Sequence, residues 1–145
     1  MAGPQATPPP SVPRGTAVRK QVVLDTNALL LPFTDGTDLQ NELEGLVGAH
    51  DLILPSSVVG ELKMLAQGAS AASRHAKAAL RLAQRARTEP TGLAGDDGIL
   101  DVARRLRAVV VTNDRNLQSE AAKSGLQVVI AREKGRLAFR GAGSA

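Results

Sequence analysis

The sequence of 145 residues has no cysteine, no tryptophan and no tyrosine, and its only aromatics are Phe33 and Phe139. Without thiols there is no disulfide, zinc finger, iron–sulfur cluster or cysteine nucleophile. Without aromatic rings there is no platform on which bases stack, as they do in many single-strand binders. A packed core must then come from Val, Leu, Ile and Ala. Histidine is scarce too. His50 precedes a predicted strand and His75 lies on a basic helix; both are expected at the surface, which leaves Ser–His–Asp chemistry without a base. No apolar run approaches the length of a membrane span, and the first residues are Pro-rich where a secretory h-region would be apolar. The expectation is a soluble, cytoplasmic protein with no membrane partner.

Basic residues are missing from one long stretch. Residues 21–62 hold seven acids and no Lys or Arg, whereas residues 63–145 hold fifteen bases against seven acids, within an overall net charge of +4. A basic excess is the usual footprint of a polyanion binder, although it serves solubility equally well.

Residues 1–19 carry five prolines and no apolar periodicity, so they read as a disordered arm. One domain is expected over residues 20–141, followed by a short disordered tail at 142–145. Within the domain, apolar runs alternate with amphipathic segments. Gln21-Val22-Val23-Leu24, Asp51-Leu52-Ile53-Leu54, Ala108-Val109-Val110-Val111-Thr112 and residues 126–131 read as buried strands, and residues 136–140 as a short fifth. Between them, helices are expected over residues 38–47, from Ser56 or Ser57 to Gln67, over an Ala-rich stretch within 68–87, from Asp96, and over 116–124. The leucines after Asn27 are expected to break at Pro32. Strands alternating with helices predict an α/β fold, with a mainly parallel twisted sheet of four to five strands and helices on both faces.

In such sheets ligands bind beyond the carboxyl ends of the strands, where strand order reverses. Asp25 directly follows the first strand, and Asp114 follows the third after Thr112-Asn113. Asp96 opens a helix that feeds the third strand, and Glu61 lies two turns into the helix after the second. Four acids from distant segments therefore converge. Each also has an ordinary use, as an N-cap, a macrodipole partner or a solvated helix residue. Together, crowded carboxylates repel and call for cations, and oxygen donors without His or Cys suit hard ions, Mg2+ or Mn2+. Such ions support in-line displacement at a phosphate with no covalent nucleophile. A phosphorylatable receiver would instead want an adjacent early acid pair and a Lys after the last strand; neither is at the right place.

The same residues carry a resemblance. Leu24-Asp25-Thr26-Asn27 resembles the opening motif of PIN-domain nucleases, and Pro55-Ser56-Ser57-Val58-Val59-Gly60-Glu61-Leu62 the second. Asp96-Asp97-Gly98-Ile99-Leu100-Asp101-Val102-Ala103 resembles the third, and Val111-Thr112-Asn113-Asp114-Arg115-Asn116-Leu117 the fourth. All four stand in the family's order, and the likeness covers about residues 21–140. The chain looks closest to archaeal members similar to the branch that processes small-subunit ribosomal RNA, with VapC toxins next. The resemblance implies metal-dependent endonucleolytic cleavage of RNA leaving a 5′-phosphate and a 3′-hydroxyl. It also implies that Asp25, Glu61, Asp96 and Asp114 are the catalytic and metal-binding acids. Asp97 leaves the third position open by one residue. Asn27 and Thr112 are the expected supporting hydrogen-bond groups. Asp101 is assigned instead to an ion pair with Arg105 at i+4. The face bearing Arg74, Lys77, Arg81 and Arg85 is the candidate for RNA phosphates, or else a solvated surface. Arg104, Arg105, Arg107, Arg115 and Lys123 form a second basic group. The acids from Asp35 to Glu44 are expected to face away from RNA, open to a basic partner or a second copy. Expected partners are RNA, with a homodimer, a ribosome-assembly factor or an antitoxin left open.

Overall fold

In the computed structural model, which describes residues 19–141, the first apolar run forms strand β1 (Lys20–Leu24), whose last three residues are buried. The chain then folds as α1 (Thr26–Thr34), α2 (Leu39–Val47), β2 (His50–Pro55), α3 (Ser56–Leu65), α4 (Ala71–Ala83), β3 (Arg87–Glu89), α5 (Gly95–Leu106), β4 (Val109–Val111), α6 (Arg115–Lys123), β5 (Val128–Ala131) and β6 (Leu137–Phe139), with a single 3-10 turn at Glu133–Gly135. The expected arm, apart from Arg19, and the expected tail at 142–145 lie outside the described residues.

The sheet runs in the order β3-β2-β1-β4-β5-β6, parallel throughout except for the antiparallel β5–β6 pair. Strand order thus proceeds outward in both directions from the β1–β4 pair, where Leu24 lies beside Val111. Helices connect the parallel strands, and such connections are right-handed as a rule. Val22, Val23, Leu24, Ile53, Leu54 and Val110 are sealed in the centre, under Leu29, Leu43, Leu62, Val102 and Leu117 from the helices. The core is aliphatic, as the shortage of aromatics requires. Among the described residues no helix is long and apolar enough to cross a membrane.

Several details depart from the sequence-based expectation. The sheet has six strands, not four or five. The extra one, β3, is Arg87-Thr88-Glu89, a polar three-residue edge strand with no buried residue. It begins at the last residue of the Ala-rich stretch, whose helix stops at Ala83. Pro32 lies inside α1 and does not end it. The amide it removes falls in the last turn, and the helix closes two residues later with Asp35 N donating to Leu31 O at 2.9 Å. Neither Ser56 nor Ser57 caps α3, whose N-cap is Pro55. His50 is buried, its ring nitrogen 2.9 Å from Gly48 O.

Candidate active site

At the carboxyl ends of β1 and β4 lies a hollow of about 210 Å3 that takes in Asp25, Glu61, Asp96 and Asp114, together with Thr26 and Asn27. Asp25, Asp96 and Asp114 stand at the starts of three helices, and Glu61 lies within α3. Asp25 leaves β1 in an extended conformation and caps α1, with Oδ1 accepting the Ala28 amide at 2.7 Å. Its Oδ2 accepts the hydroxyl of Thr112. Thr112 is itself buried just past β4, and its Oγ1 accepts the Asp114 amide at 3.0 Å. One hydroxyl therefore ties the end of β1 to the turn that carries Asp114. Asp114 caps α6 through Oδ1, which accepts the amides of Asn116 at 2.9 Å and Leu117 at 3.0 Å; its Oδ2 is left uncommitted. Glu61 accepts the Thr26 hydroxyl through Oε1, leaving Oε2 uncommitted. Asp96 sits in the first turn of α5, where no side chain caps the helix.

The charges of neighbouring acids reach Asp25 and Asp96. Burial pushes the Asp25 carboxyl above the usual carboxylate range, against the bonds from Thr112 and Ala28, and the charges of Asp114 and Asp96 push it further. Asp96 is raised as well, first by partial burial and then by Asp114, Asp97 and Glu61. The hollow is therefore short of positive charge, the situation that carboxylates left crowded without a cation produce.

Of the sequence-predicted residues, Asp25, Asn27, Glu61, Asp96 and Asp114 line this hollow, whereas Asp97 is exposed outside it. Thr112 does hold an acid. Asn27 lines the hollow without hydrogen-bonding any of the four, and the holder of Glu61 is Thr26. That residue was not anticipated, because nothing in the sequence shows that α3 packs on α1. Gly98 was missed too. A Cβ there would stand 2.5 Å from Leu93 O and 2.7 Å from Ser57 Oγ, so α5 presses its backbone against the rim of the hollow. An isolated glycine inside a helical pattern was the available signal. Asp101 lies apart, bonded to Thr91 Oγ1 at 2.8 Å and paired with Arg105 at 3.3 Å. The Thr91 hydroxyl and Arg105 hold its carboxyl below the usual range.

Arg74, Lys77 and Arg81 are exposed on α4, and Arg85 is exposed just after it; none lines the hollow. Arg74 and Lys77 reach back to Ala69 O and Gly68 O. The second basic group is largely spoken for: Arg105 binds Asp101, Glu89 and Pro90 O, Arg104 binds Ser124, and Lys123 pairs with Glu120. In the acidic segment, Asp38 caps α2, and Glu42 accepts the Leu137 amide and pairs with Arg136.

The family model described as PIN like domain matches residues 22–134. Ribonuclease VapC9 of Archaeoglobus fulgidus is 27% identical over 125 residues, covering 86% of this chain and 91% of that protein. Among solved structures, the PIN domain endonuclease Utp24 superposes with a TM-score of 0.68 at 24% identity, over 82% of this chain and 90% of that one. VapBC2 from Rickettsia felis, bound to a DNA fragment from its promoter, gives 0.57 at 18% identity, over 77% and 99%. At these identities the structural likenesses are of fold.

Proposed function

Since the chain belongs to the PIN-like domain family, we propose that it is a divalent-metal-dependent endoribonuclease. Its catalytic and metal-binding acids are Asp25, Glu61, Asp96 and Asp114, and its substrate is a ribosomal RNA precursor. The observation that carries the reading is the gathering of those four carboxylates, from four separated segments, around one hollow at the point where strand order reverses.

The donor set fits a hard dication. It is all oxygen, with neither His nor Cys in the lining, and two of its acids, Asp25 and Asp96, are raised by burial and then by neighbouring carboxylates. Among the described residues no three such groups stand together as a ready ligand set. Mg2+ commonly keeps several waters and takes only one or two carboxylates; Mn2+ accepts the same donors. Bound there, such an ion would supply the positive charge that acidifies a water and polarises a phosphodiester. The protein's own part is positioning. Thr112 and the Ala28 amide fix both oxygens of Asp25, Thr26 fixes one oxygen of Glu61, and the start of α6 fixes one of Asp114.

Purified protein is expected to cleave RNA with Mg2+ or Mn2+ and to stop when the ions are chelated. Asp25→Asn and Asp114→Asn should each lower cleavage by orders of magnitude while RNA binding persists, because Asn keeps the capping oxygen and loses the charge. Two variants cutting like the parent would remove the assignment. RNA binding with no cleavage under any ion would point to a silent scaffold in ribosome assembly. The likeness to Ribonuclease VapC9 favours a second reading, a toxin-type ribonuclease with an antitoxin partner. Growth arrest on expression, relieved by Asp25→Asn, would select it.

A further inference from the structure

A second depression shares a wall with the acidic hollow. It is an open groove of about 610 Å3 between α3 and the loop that leads into α5, bounded by Ser56, Gly60, Met64, Gly92, Leu93 and Ala94, and it meets the hollow at Ser57, Glu61 and Gly95. Its size falls in the range, roughly 300–1,000 Å3, of clefts that take small organic molecules. Two of the large apolar side chains that the molecule leaves exposed are here: Met64, 73% exposed, and Leu93, 51% exposed. Apolar groups placed together at the surface mark contact sites.

The groove is built. Ser56 Oγ accepts the Thr91 amide at 3.0 Å and lies 3.3 Å from Thr91 O. Thr91 Oγ1 in turn donates to Asp101 and accepts the Leu93 amide at 3.2 Å. The loop bearing Leu93 is thereby pinned to α3 on one side and to α5 on the other. On α3, residues 56, 60 and 64 follow one another at i+4 and so share a face. Between Ser56 and Met64 that face is empty, because residue 60 is glycine and a Cβ there would meet nothing within 4 Å. Where the groove joins the hollow, α3 and α5 both begin without a side-chain cap, so their first amides remain available to a phosphate.

We propose that this groove is a nucleobase subsite, in which the unpaired nucleoside next to the cleaved phosphate lays its base between Met64 and Leu93 over the open backbone at Gly60 and Gly92. The inference rests on the acidic hollow being the place of cleavage, and it adds a contact to that reading: one base, turned out of its stack, is held in the groove beside the cut. The apolar walls and the direct opening onto the carboxylates favour a base over a charged partner. A duplex, whose bases face one another, cannot place one in the groove without first unpairing it. Thioether and isobutyl groups take over what rings do elsewhere. Met is polarisable and adaptable, so purines and pyrimidines are both admitted.

The test uses the full chain in chelator, so that it reads binding alone. A short single-stranded RNA carries 2-aminopurine at one position, and its emission rises when that base leaves its neighbours. Wild type should raise the emission and bind the RNA. Met64→Ser with Leu93→Ser should suppress the rise and weaken binding by about tenfold, the scale of one base's packing. The same RNA made abasic at that position should bind wild type and double variant alike. Gly60→Leu fills the groove from a helix position where Leu is favoured over Gly; it should melt no lower than wild type yet lose the emission change. An unchanged emission rise in both variants, or equal weakening on the abasic RNA, overturns the subsite. If instead Asp25→Asn and Asp114→Asn cleave RNA like wild type, it is the placement of cleavage that fails, whatever the fluorescence shows.

Discussion

Asp25 serves two ends that conflict. As the cap of α1 and the acceptor from Thr112 it is held in place, and as a buried charge facing Asp96 and Asp114 it is costly. Its carboxyl and that of Asp96 bind protons more tightly in the folded chain than in the unfolded one, since both are raised. Between the usual carboxylate range and those raised values the native state carries the extra protons, so stability falls as pH rises through that window and the penalty is complete above it. In chelator, thermal melting should therefore move upward as pH is lowered from neutral toward the window, and Asp25→Asn should flatten that dependence and raise the neutral-pH melting temperature. Added Mg2+ should stabilise wild type by preferential binding to the folded chain and do less for the variant. A melting temperature indifferent to pH across that window would contradict this account of the hollow. The positions of Asp25, Asp96 and Asp114 were legible in the sequence because each stands at an element boundary that apolar runs announce, and that of Glu61 from its place within the helix after the second strand. Their supports were only half legible. Thr112 adjoins its strand end and could be named, whereas Thr26 meets Glu61 across thirty-five residues, and only the packing of two helices brings them together.

Elements longer than a turn with a clear apolar period were readable: α2, α5, α6 and five of the six strands appear near the expected positions. What escaped was set by tertiary contact. Strand β3 has no apolar residue, and it exists because Ile53, Leu54 and Pro55 of β2 offer it a parallel partner. Ser56 looked like a cap and is instead the peg that holds the Thr91 loop. The same loop explains Gly98. Any side chain at that position meets the carbonyl of Leu93, a backbone atom that cannot swing aside. Gly98→Ala should therefore destabilise by about 1–3 kcal/mol, as overpacking does, and lower the melting temperature by several degrees, although alanine is the better helix former. A variant that melts higher than wild type would show that the loop and α5 can separate, and with them the rim of the hollow.

Across the whole molecule charge is divided along the chain, and the fold keeps part of that division. The cationic face of α4 stands on a segment separate from the acids, and among the described residues no carboxylate pairs with its exposed Arg74, Lys77 and Arg81. If they touch RNA, they act on phosphates without regard to sequence. Replacing all three by Ala should weaken binding of every RNA to a similar degree, and should reduce the slope of log affinity against log salt by about two, at roughly 0.7 per contact on a single strand. An unaltered slope would return these residues to plain surface. Fold class was legible at this scale from the alternation of elements alone. Strand order was not, since it depends on which neighbours each strand finds. The borders of the sheet carry their own consequence. Both outermost strands, β3 and β6, are three residues long, and β3 bears Arg87 and Glu89, which pair with each other, Glu89 pairing with Arg105 as well. So brief and charged a margin offers a passing chain almost no template for adding a further strand, and concentrated solutions should resist fibrous self-association even though the sheet behind that margin is built almost wholly of valine, leucine and isoleucine.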